Sequence, residues 1–111
     1  MNEKYMQVTT TTDSRDEAEK LSRFVVDNRL AACAQIVGPI TSTYWWQGKV
    51  EVAEEWMIFM KTTAAHVDEL VTRVQAEHSY DTPEIVATPI VAGNPGYLEW
   101  IANETGEKAQ T

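Results

Sequence analysis

The chain has 111 residues, room for one domain spanning 1–111, and 9 basic against 17 acidic side chains leave a net charge of −8. Such a surface repels phosphate backbones, and Lys and Arg form no dense cluster, so nucleic acid is not expected as a partner. A single cysteine, Cys33, excludes an internal disulfide and any Cys-x-x-Cys metal or redox motif.

Tyr5 to Thr12, rich in β-branched residues, predicts a first strand. Ser14-Arg15-Asp16-Glu17 is a capping box, in which Ser14 accepts from free amides and Glu17 reaches back. Behind it Ala18, Leu21, Phe24 and Val25 form one apolar helical face, with Asp16–Lys20 and Glu19–Arg23 as ion pairs on the solvent side. Ala31 to Trp46 predicts a long strand, bent near Gly38-Pro39 because proline cannot donate to a ladder. Gln47-Gly48 turns the chain, and Lys49 to Lys61 returns, making a long hairpin. Thr63 caps a second helix that buries Val67, Leu70, Val71 and Val74. Glu84 to Gly93 predicts a fourth strand, and Pro89 assigns it to an edge or a bulge. Asn94-Pro95 opens a last helix with Leu98, Ile101 and Ala102 inward, ended by Gly106.

The order strand, helix, strand, strand, helix, strand plus a terminal helix predicts an α+β fold of the ferredoxin-like split βαβ kind. Two main helices cover only one face of a four-stranded sheet, and the other face is not polar. Trp56-Met57-Ile58-Phe59-Met60 puts Trp56, Ile58 and Met60 on one side and Met57 and Phe59 on the other. Tyr44, Trp45 and Trp46 near the hairpin tip are apolar on both sides. Burying each such side chain gains roughly 1.5–3 kcal/mol, so further copies of the chain are the expected cover. The terminal helix alone is too sparsely apolar to do it.

No segment predicts a signal peptide or a membrane span, so a soluble, cytoplasmic protein with no membrane partner is expected. No enzyme is expected either. The serines lie in no nucleophile elbow, two histidines make no acid–base team, and Gly93-Asn94-Pro95-Gly96 lacks the spacing and lysine of a phosphate loop.

Five stretches in order resemble the CutA (divalent-cation tolerance) family. They are Arg29-Leu30-Ala31-Ala32-Cys33-Ala34, Tyr44 to Glu51 (Tyr-Trp-Trp-Gln-Gly-Lys-Val-Glu), Lys61-Thr62-Thr63, Tyr80-Asp81-Thr82-Pro83-Glu84 and Tyr97-Leu98-Glu99-Trp100. The resemblance implies a homotrimer joined through long hairpins, with Tyr44, Trp45, Trp46 and Trp56 in interface or core. It implies a role in the response to metal ions, with copper or another divalent cation bound as in bacterial relatives. It also implies kinship with PII-type signalling trimers, which bind a small effector between subunits. Lys61, Tyr80, Pro83 and Glu84 are the candidates for such a cleft. A non-enzymatic scaffold trimer is a third alternative.

Cys33 and His78 are the candidate metal ligands, since thiolate and imidazole are the donors copper prefers. Each has a bland alternative: Cys33 as a compact hydrophobe among small residues, His78 as a cap on a helix end. His66 lies twelve positions before His78, roughly 18 Å along one helix, so the two cannot share a metal within one chain. Copper-binding bacterial members can carry a cysteine where this chain has Thr10, and a histidine pair where it has Glu77-His78.

Overall fold

The computed structural model describes residues 4–106. Strand β1 (Tyr5–Thr12) is followed by helix α1 (Arg15–Asp27), strands β2 (Cys33–Trp46) and β3 (Lys49–Thr63), and a short 3-10 turn (Ala64–His66). Helix α2 (Val67–Glu77), strand β4 (Ile85–Pro89) and helix α3 (Pro95–Glu104) complete the order. The sheet runs β2-β3-β1-β4 with every neighbouring pair antiparallel. Among the described residues no helix is long and apolar enough to cross a membrane.

Alternation sorts the sheet into two faces. Val8, Ile58 and Met60, all fully buried, pack with Leu21 and Val25 of α1 and with Leu70 and Val74 of α2. Met57, Phe59, Lys61 and Cys33 lie on the second face. There α3 rests on β3 and β1, burying Ile101, and its Tyr97 hydroxyl meets the Cys33 thiol at 3.5 Å. Beyond α3 the second face stays open, with Val37 and Val86 each 49% exposed.

The hairpin outruns the sheet. Pairing of β1 with β3 stops at Thr12 opposite Trp56, whereas β2 and β3 continue alone to Trp46 opposite Lys49. Gln47 and Gly48 turn the chain with positive φ at both positions (49° and 79°), the backbone that matches strand twist in a two-residue turn. At the root the register shifts between Val37 and Ile40, where proline was expected to bend the strand. A side chain on Gly38 would run into the Trp56 indole, so glycine here is a packing requirement.

Four expectations change in detail. The second strand begins at Cys33, not Ala31, because the amides of Leu30 and Ala31 still donate to the Val25 carbonyl and end α1. The fourth strand stops at Pro89, short of Gly93; it is an edge strand, as its proline requires. On α1 the ion pairs are Arg15–Glu19 and Arg23–Asp27, so the carboxylate and guanidinium expected to meet each other are taken by other partners. Ser14 does accept from the Glu17 amide at 3.1 Å, but the Glu17 carboxylate turns away to Ser79.

Thr10 is fully buried, and its hydroxyl finds no hydrogen-bond partner among the described residues. An unpaired buried hydroxyl is costly, whereas valine keeps the shape without it. Thr10→Val is therefore expected to stabilise the fold by about 1 kcal/mol. Urea denaturation checks this, and a loss of stability would show that the hydroxyl is paired.

Candidate functional site

Two polar clusters lie toward opposite ends of β1. The first gathers where β1 ends. His78 caps α2, and its side chain is fully buried. Its Nδ1 accepts the Tyr80 amide at 3.1 Å, and its Nε2 lies 2.8 Å from the Thr11 carbonyl. An amide can only donate and a carbonyl can only accept, so the ring is the neutral tautomer with its proton on Nε2. Neither ring nitrogen is left free. Glu17 accepts from both the amide and the hydroxyl of Ser79, at 2.7 and 2.8 Å, tying α1 to the loop after α2.

Tyr80 extends this cluster to the hairpin root. Glu55 is the first residue of β3 past the end of β1, so its flank is open to the loop between α2 and β4. The Tyr80 hydroxyl enters there and donates to Glu55 Oε2 at 2.8 Å. Burial, that hydrogen bond and the Glu55 charge, with smaller effects of Asp13 and Tyr44, all hold the phenol well above its ordinary pKa. Pro83 and Glu84 follow in the same loop, Pro83 half-buried and Glu84 exposed.

The second cluster lies beside α3, on the sheet face that also carries Glu55. Cys33 and Lys61 are direct cross-strand partners, the Lys61 ammonium donates to Gln35 Oε1 at 2.8 Å, and Tyr97 contacts the thiol. The contact with Cys33 and partial burial push the Tyr97 phenol up to about 12, so it remains a neutral hydroxyl at physiological pH.

The structure does not bring Cys33 and His78 together. Cys33 is level with Gln7, whereas His78 binds the Thr11 carbonyl four residues further along β1 and two strands across. That is roughly 13 Å along the sheet and 10 Å sideways. Among the described residues no group of three or more His, Cys, Asp or Glu side chains could hold a metal ion. One chain therefore offers a lone thiol and a fully hydrogen-bonded imidazole, which do not make a copper site. Lys61 is likewise six residues of β3, roughly 20 Å, from the Glu55 that Tyr80 touches. His66 takes a structural place, 2.6 Å from the Thr63 hydroxyl.

Of the aromatic residues expected at an interface, Trp56 packs against the core of its own chain. Tyr44, Trp45 and Trp46 are 42%, 74% and 58% exposed. An open groove of about 740 Å³ runs along α1 beside the end of α2, past Asp13, Glu17, Phe24 and Glu77, and none of the expected site residues lines it. Sequence reasoning gave Glu17 only a capping role and Tyr97 only a place in a family motif, and it did not single out Glu55. Each meets its partner across 25 to 64 residues, and no local spacing marks such a pair.

The family model described as CutA1 divalent ion tolerance protein matches residues 6–104. The chain belongs to the CutA1 family. A relative named divalent-cation tolerance protein CutA, from Thermus thermophilus, is 43% identical over 99 residues, covering 89% of this chain and 96% of its own. A solved structure of the Cut A1 protein from that organism superimposes with a TM-score of 0.89 at 42% identity, covering 92% and 99% of the two chains. The rice protein named CutA 1, chloroplastic, is 41% identical over 100 residues, 90% of this chain. The chain spans 56% of that relative and 54% of the Arabidopsis and mouse ones, about half their length.

Proposed function

We propose that the chain is a non-enzymatic, cytoplasmic protein of divalent-cation tolerance, a single ferredoxin-like domain that works as a homotrimer and takes part in the response to metal ions. The strand order β2-β3-β1-β4 with α1 and α2 on one face supports the fold name. The observation that carries the assembly is the bare hairpin. Trp45, Trp46, Val50 and Val52 are each more than half exposed, on strands that no other described part of the chain covers. Apolar surface of this extent marks an interface.

Copper binding, in this reading, draws donors from more than one copy. Cys33 supplies the soft donor, and His78 takes part only by giving up the Tyr80 amide. Calorimetric titration of the purified assembly with Cu(I) and Cu(II) tests this. Stoichiometric uptake that disappears in Cys33→Ala is the expected result. No uptake by the unsubstituted protein would remove copper from the proposal.

A second reading, a sensor that binds a small effector between subunits, has one observation in its favour. Lys61 lies six residues along β3, roughly 20 Å, from the Glu55 that Tyr80 touches, so a cleft holding both is built from two copies. Saturable binding of a nucleotide or small anion, without metal uptake, would favour it. Silence in both titrations, with a protein partner recovered, would favour a scaffold.

A further inference from the structure

Glu55 is an unusual residue for its place. It lies on the second face of β3, only 8% exposed, and accepts one hydrogen bond, from Tyr80. No Lys, Arg or His pairs with it among the described residues, and Asp13 lies near enough to the same phenol to act on it. A buried carboxylate with one neutral donor lacks the cation that would offset its desolvation.

The Lys and Arg side chains among the described residues can be taken in turn. Arg15, Arg23, Arg29 and Arg73 are each held by a carboxylate. Lys61 is held by Gln35, Lys4 lies over the Tyr5 ring, and Lys20 lines the groove on the helix side. Lys49 is left. It is exposed, has no partner among the described residues, and by alternation projects from the same face of β3 as Glu55.

Within one chain the two cannot meet, because six residues of straight strand set them roughly 20 Å apart. Between copies they can. Lys49 is cross-strand partner to Trp46, so whatever surface buries that tryptophan receives the lysine beside it. In a closed ring each copy presents the tip of its hairpin to a neighbour and receives a tip in return, a heterologous contact. We infer that Lys49 at the hairpin tip of one copy pairs with the Glu55 carboxylate at the hairpin root of the next, which Tyr80 holds in position. The inference rests on the homotrimer proposed above and names one charge pair that sets its register.

Charge reversal tests it. Lys49→Glu, Glu55→Lys, the double swap and a Lys20→Glu control are compared by sedimentation across a dilution series. The buffer contains urea, which does not screen charges, at the concentration where the unsubstituted assembly is half dissociated. Each single reversal at the pair is expected to raise the concentration needed for assembly roughly tenfold or more. The double swap recovers most of the loss, and Lys20→Glu has little effect. If Lys49→Glu behaves like the control, or the swap restores nothing, the pairing is overturned while the trimer stands. A chain already monomeric before substitution overturns both. Should Glu55→Lys fail to fold by circular dichroism, a cycle of Glu55→Gln and Lys49→Gln replaces it, and independent, additive losses are then the contrary result.

Discussion

Replacing His78 with alanine is expected to destabilise the fold by about 2–4 kcal/mol. The imidazole is wholly buried and joins two elements, taking the Tyr80 amide on one nitrogen and giving a proton to the Thr11 carbonyl on the other. Alanine leaves both backbone groups without these partners and removes the volume of the ring as well. Tyr80 loses its anchor in the same step, so its hydrogen bond to Glu55 and the bracing of the hairpin root weaken together. Urea denaturation at matched protein concentration measures the effect, since assembly is linked to folding. A loss below about 1 kcal/mol would show that the histidine does not bridge, and would return it to the candidates for a free metal ligand.

The second large effect is on association. Trp45→Glu together with Trp46→Glu puts a carboxylate on each face of the hairpin tip. Both tryptophans are more than half exposed in the single chain and lie beyond the rest of the sheet, so its fold barely depends on them. An assembly that buries them loses roughly 1.5–3 kcal/mol of apolar burial at each and must desolvate new charges. The double variant is expected to keep its far-UV circular dichroism and to sediment as a single chain. Retention of the unsubstituted assembly would show that the hairpin tip is not in the interface.

The fold was largely legible because its signals are local and periodic. Ser14 and Asn94 cap their helices as their side chains predict, with Asn94 accepting from the amides of Gly96 and Tyr97. Ile58 and Met60 are core while Met57 and Phe59 face the other way, and Pro89 sits on an edge strand. Boundaries were less legible where tertiary contacts compete for the backbone, as at Ala31, whose amide is claimed by α1. The clusters were least legible. Nothing near Glu17 announces Ser79, and nothing near Glu55 announces Tyr80, because those pairs arise only when α2 returns the chain to the end of β1. Family motifs put Cys33, His78, Lys61 and Tyr80 on one map, but strand length then divides them between two ends of the sheet.

Sedimentation equilibrium of the unsubstituted chain, run beside the Trp45→Glu/Trp46→Glu variant at micromolar concentration, goes most directly to the central claim that the exposed hairpin and open sheet face are covered by further copies. Three times the mass of one chain, falling to a single mass in the variant, is the expected result. A single-chain mass for the unsubstituted protein would contradict it.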